Sequence, residues 1–153
     1  MAVPALVQRL ANQGIERLRY DLADRGMATV RPAHVLVLLP LLGGGRRASD
    51  LAGQLGVSRQ AVAQVVRTLE AGGYVERLDD PGDARAKLVC LTAGGRAALR
   101  AVRASAVAAE AEWADRLGPD RLAEFRATLT ELLAGPPAEV DPGRATARTA
   151  GGD

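Results

Sequence analysis

Apolar residues recur at helical spacing over much of this chain. Leu6, Leu10, Ile15, Leu18 and Leu22 predict a helix from Pro4 to about Arg25. A second helix is expected from Arg31 to Leu42, with Pro32 in its first turn and Pro40 bending or shortening its end. Gly43-Gly44-Gly45 reads as a loop. Leu51, Ala52 and Leu55 then share one face of a short helix, and small Ala52 lets a neighbouring helix cross closely. Val62, Val65, Val66 and Leu69 repeat at i, i+3, i+4, i+7 and define the inward face of the next one. Gly56 supplies the left-handed turn between them, Ser58 is a good N-cap, and Val57 is expected to enter the core and staple against Val62. Gly72-Gly73 closes that helix.

Tyr74–Leu78 and Ala86–Leu91 read as short strands joined by the turn residues Asp80-Pro81-Gly82-Asp83. Thr92 is placed to N-cap an alanine-rich helix to about Leu117, with a stripe of Leu99, Val102, Ala106, Ala109 and Trp113. Gly118-Pro119-Asp120 breaks the chain. A last helix to about Ala134 carries Leu122, Phe125, Leu129, Leu132 and Leu133 on one face. Pro136–Asp153 is rich in Pro, Gly, Ala and Thr and reads as a disordered, dispensable tail. The expected fold is mainly α with a small β-hairpin wing, a winged helix-turn-helix.

The 153 residues suit one domain with a sizeable core, taken here as residues 1–135. Aromatics make up only 3% of the chain, so Leu, Val and Ala must build that core. The formal net charge of +2 is too small to establish a nucleic-acid partner. Nearly all the positive charge is arginine, which suits bidentate contact with phosphate or guanine but also follows from GC-rich coding. The N-terminus has no signal-peptide pattern, and the longest apolar run, Val35–Leu42, is far too short to span a bilayer. A cytoplasmic protein with no membrane partner is expected.

The helix that follows Ser58 carries Arg59, Gln60, Ala63, Gln64 and Arg67 on its outward face, with no acidic residue before Glu70. Gln and Arg pair with adenine and guanine edges in the major groove, and the N-terminal half of a recognition helix makes most base contacts. A solvated amphipathic helix would show a similar face. The Ala52-Gly56-Val57-Ser58 spacing and the hairpin behind it favour the DNA-reading interpretation.

The segments Arg31–His34 (RPAH), Asp50–Val62 (DLAGQLGVSRQAV), Leu69–Val89 (LEAGGYVERLDDPGDARAKLV) and Leu91–Leu99 (LTAGGRAAL) resemble the multiple antibiotic resistance regulator (MarR) family of transcription factors. The resemblance implies a winged-helix homodimer bound to a pseudo-palindromic duplex operator. Residues 1–28 and 93–135 would be the dimerisation helices and 30–92 the DNA-binding lobe. By the same resemblance Arg85 is the minor-groove arginine and Asp83 orients it. Ala84 stands where many members have a second arginine, and Asp79, Asp80 and Asp83 make this wing less basic than the family pattern. The expected DNA-binding set is Ser58, Arg59, Gln60, Gln64, Arg67, Asp83, Arg85 and Lys87. Many members release DNA on binding a small molecule, so a repressor with an effector is expected. The alternative is a winged-helix module for protein–protein interaction without specific DNA readout, favoured by the near-neutral charge and the acidic wing.

An enzyme would need a constellation, and the chain offers one His and one Cys far apart, no phosphate loop and scattered carboxylates. No catalytic set, metal site or cofactor is expected. Redox-sensing members of the family carry their cysteine in the first helix, which has none here. Cys90 therefore reads as a packed, inert thiol. Tyr20 and His34 are the candidate effector-pocket residues, although such a histidine is more often simply packed or on a helix surface. Trp113 is read as a dimer-core residue.

Overall fold

A computed structural model describes residues 1–135. The element order is α1 (Val3–Asp24), α2 (Pro32–Leu38), a 3-10 turn (Leu39–Gly43), α3 (Ala48–Leu55), α4 (Arg59–Ala71), β1 (Val75–Asp80), β2 (Asp83–Leu91), α5 (Ala93–Leu117) and α6 (Pro119–Ala134). The expected mainly helical fold with a two-stranded wing is found. The tail expectation, Pro136–Asp153, lies outside the described residues. The chain divides into two compact units between Glu110 and Ala111, inside α5.

In the first unit the core follows the pattern of the sequence. Leu22, Leu38, Leu51, Val62, Val66 and Leu69 are fully buried. Alanines 52, 98 and 101 fill the space that aromatics would occupy in another core. Pro40 acts as expected: its missing N–H and its ring end α2 at Leu38, and the chain continues as a tighter turn.

Gly56 ends α3 at φ 64°, and the N–H groups of Gly56 and Val57 close the turn on the carbonyls of Gly53 and Ala52. This path overturns one expectation. Val57 does not enter the core; it is 47% exposed. The turn is held by backbone hydrogen bonds and the Ser58 cap, so no apolar staple is needed to fix the start of α4.

The hairpin is longer than expected, with a two-residue loop at Pro81-Gly82. Its register pairs Val75 with Leu91, Leu78 with Leu88 and Asp79 with Lys87, and the regular pairing shifts between Asp79 and Asp80. A third segment joins it. Arg46, which follows the Gly43-Gly44-Gly45 loop, exchanges two backbone hydrogen bonds with Val89, at 3.0 and 2.8 Å. Gly45 permits that approach, since a Cβ there would sit 2.6 Å from the Cys90 sulfur.

Thr92 caps α5 as expected: its hydroxyl accepts the Gly95 N–H and donates to the Gly73 carbonyl. The face of α5 differs from the expected stripe. Gly95, Ala98, Leu99, Ala101 and Ser105 are its buried residues, while Ala106 is exposed. The rotation has a steric cause. Gly95 lies against the Tyr74 carbonyl so closely that a Cβ would meet that oxygen at 2.1 Å, and small residues must therefore face the hairpin. In the second unit Trp113 meets Phe125 edge to face, with centroids 6.4 Å apart.

Candidate nucleic-acid interface

Ser58 starts α4 with its hydroxyl accepting the Ala61 N–H at 3.1 Å. Its side chain is thereby engaged in the cap. From that start the helix turns Val62, Val66 and Leu69 inward and leaves Arg59, Gln60, Gln64 and Arg67 exposed, with Ala63 partly covered. Arg67 donates from Nη2 to Gln64 Oε1 at 2.7 Å. Arginine has only donors, so this bond engages the Gln64 carbonyl oxygen and does not use its NH2 group. Glu70, the first acid on the helix, pairs with Arg77 of β1 at 3.3 Å. The outward face is thus donor-rich, and the acid that follows it is neutralised.

The wing shows a division of labour that sequence reasoning missed. Lys87, expected on DNA, pairs across the strands with Asp79 at 2.5 Å. Arg47, the residue before α3, reaches the hairpin tip: its Nε and Nη2 donate to Asp80 Oδ2 at 2.8 and 2.5 Å. Its Nη2 also lies 3.5 Å from Asp83 Oδ2. The other oxygen of Asp80 accepts the Gly82 N–H at 2.9 Å. That backbone hydrogen bond and the Arg47 guanidinium hold the Asp80 carboxyl below its usual range, and the hydrogen bond to the Asp80 carboxylate, with its charge, raises Arg47 above its own. Asp83 accepts the backbone N–H of Arg85 at 3.1 Å. Asp83 therefore acts on the Arg85 main chain, not on its guanidinium. Of the hairpin's three cations, Arg77 and Lys87 are paired, and the Arg85 side chain is exposed with no ion pair among the described residues. Three acids clustered in one wing were the available signal that a cation from elsewhere must face them.

The two effector candidates separate. Tyr20, 72% exposed, lines a groove of about 1110 Å3 with Ile15, Glu16, Arg19, Arg31 and Leu36. His34 does not line it. The histidine is 7% exposed, and its Nδ1 accepts the Arg31 N–H at 3.2 Å, as its own N–H bonds the Arg31 carbonyl. Burial first, and then the Arg31 charge, push its pKa below the ordinary value. The His34 ring instead closes the first turn of α2. Cys90 is half-buried, with its sulfur 4.0 Å from the Leu88 carbonyl.

A helix-turn-helix with an exposed Gln/Arg face, followed by a hairpin wing, defines a winged-helix protein of the DNA-binding class. The sequence model of the MarR family matches residues 28–86, from the loop after α1 to the second wing strand. Solved structures agree in fold. MarR from E. coli, in its reduced form, superposes with a TM-score of 0.72 at 24% identity over 87% of this chain and 97% of that one. The transcriptional regulator Tm0710 from Thermotoga maritima gives 0.62 at 26% identity, over 84% and 89%. The transcriptional repressor CouR, bound to a 23-mer DNA duplex, gives 0.67 at 25% identity, over 86% and 92%. No curated protein matches by sequence alone. Residues 28–86 are thus similar to the MarR family, and the chain shares the fold of solved MarR-family structures. No helix among the described residues is long and apolar enough to cross a membrane.

Proposed function

We propose that this chain is a homodimeric repressor that binds a pseudo-palindromic operator and leaves it when a small molecule occupies the α1–α2 groove. One observation carries the DNA reading: Arg59, Gln60, Gln64 and Arg67 stand exposed on one face of α4, and the nearest acid is occupied by Arg77. These side chains suit base edges and phosphates in a major groove. Arg85, the unpaired cation of the wing, suits the negative potential of a narrow minor groove.

Two further features support the finer points. Within α6 no residue is buried, and Leu132 and Leu133 are 69% and 84% exposed. Along α1 the residues Val3, Leu6, Val7 and Ile15 are also exposed, and only Leu22 is buried. Apolar faces of this extent call for a second copy. The groove brings Arg31 together with the Tyr20 ring, while its Arg19 is paired with Glu16 at 3.1 Å, a lining that fits an aromatic effector with one anionic group at Arg31. Cytoplasmic placement accords with a duplex-DNA partner.

The alternative, a protein–protein module, drew its support from the acidic wing. Asp79 is paired with Lys87, and Asp80 and Asp83 face Arg47, so the wing presents less negative charge than its composition indicates. The test is affinity for the protein's own upstream region against random duplex at one salt concentration. A ratio of about a thousand or more is expected for specific readout. Equal affinity for both duplexes would favour the module.

A further inference from the structure

The α3–wing contact is built more completely than a surface ion pair. The Arg47 guanidinium gives two donors to one Asp80 oxygen, while the second oxygen holds the Gly82 N–H inside the tip turn. The Asp80 side chain is only 12% exposed. The same guanidinium lies beside Asp83, whose other oxygen accepts the Arg85 N–H. Next to it, Arg46 is locked to Val89 by two backbone hydrogen bonds. A continuous path of contacts thus runs from the start of the helix-turn-helix, through both acids of the tip, to the main chain of Arg85.

We propose that Arg47 is the positioning residue of the wing: it clamps the hairpin tip to the start of α3 and thereby fixes where Arg85 stands relative to α4. This deepens the DNA reading above and rests on it for its functional meaning. The physical argument has two parts. A two-stranded hairpin is only marginally stable by itself, so the direction of its tip is set by what it is tied to. A two-donor, charge-assisted contact to one carboxylate constrains direction more than a single ammonium contact does. The clamp also neutralises carboxylates that would otherwise repel the phosphates near Arg85.

A phosphate contact made by Arg47 itself is the competing account, and a mutant cycle separates the two. Arg47→Met should weaken operator binding about tenfold in the wild-type background. In an Arg85→Ala background the same change should add little, because Arg47 acts through Arg85. Amide exchange on the free protein supplies a readout independent of DNA. The Arg85 N–H should exchange faster in Arg47→Met, while the α4 amides and the melting temperature stay near wild type. Arg47→Lys keeps the charge but loses the fork, and should recover only part of the affinity. It carries the same cycle if the methionine variant does not fold. Additive losses in the cycle, or unchanged exchange at Arg85, would overturn the clamp. A wild-type protein that binds no duplex would remove the DNA reading alone, since exchange still decides whether Arg47 holds the tip.

Discussion

Single side chains on this protein divide into those free to meet a partner and those already committed. Gln64 and Arg85 are exposed but should fail differently. On the proposed major-groove reading, Gln64→Ala is expected to cost about 1–3 kcal/mol on the cognate site and little on random duplex. Arg85→Ala should weaken binding to most duplexes and lower the salt slope by about one, because its work is electrostatic. Competition titrations across a salt series measure both, and equal losses for Gln64→Ala on specific and random DNA would remove it from base readout. His34 is a committed residue with a pH signature. Its folded pKa lies below the ordinary 6.5, so the unfolded chain takes up the proton first on acidification. Its contribution to stability is fully present above 6.5 and is lost as pH falls through that value toward the folded pKa. His34→Gln keeps an acceptor for the Arg31 N–H without the titration. Urea unfolding at several pH values should show a shallower acid loss for that variant.

At the level of elements, close approach and capping decide how the lobe is assembled. Ser58 holds the first turn of α4 by one hydrogen bond, so Ser58→Ala should cost about 1 kcal/mol in stability. Gly95 matters more. Any Cβ there collides with the Tyr74 carbonyl, and that backbone cannot move without disturbing the hairpin start and the Thr92 cap. Gly95→Ala should therefore destabilise more than Ser58→Ala in thermal melts, with the wing amides losing exchange protection. A melt equal to wild type would show that α5 can move off the hairpin at little cost. Much of this level could be read in the sequence. The glycines, Ser58, Thr92 and the prolines mark element boundaries because caps and turns close over a few residues of chain. The face of α5 could not be read, because it depends on the Tyr74 carbonyl opposite Gly95.

The whole molecule carries predictions about assembly and operator geometry. A mass of twice 15.9 kDa is expected by light scattering at micromolar concentration. Leu132→Glu, at a side chain 69% exposed in the protomer, should shift the protein toward monomer while leaving secondary structure intact. A monomeric wild type would sink the dimer proposal. Two α4 helices related by a two-fold axis meet successive major grooves on one side of the duplex. Half-site centres should then lie about 10–10.5 bp apart, or a multiple of that. Footprinting on the upstream region should show an inverted repeat with A·T-rich flanks, where Arg85 is best accommodated. A tightly protected site without inverted symmetry would refute that arrangement.

The sequence by itself determined the order of elements, the helix-turn-helix, the wing and the residues on the outward face of α4. Each follows from hydrophobic period, caps and turn chemistry, which act between residues close in the chain. Only the tertiary structure decided that His34 is a buried cap outside the α1–α2 groove, that Val57 faces solvent, and that Lys87 pairs with Asp79. The clamp of Arg47 on Asp80 joins residues 33 positions apart. No local pattern encodes such a pair, because an ion pair depends on where the folded path brings two charges together.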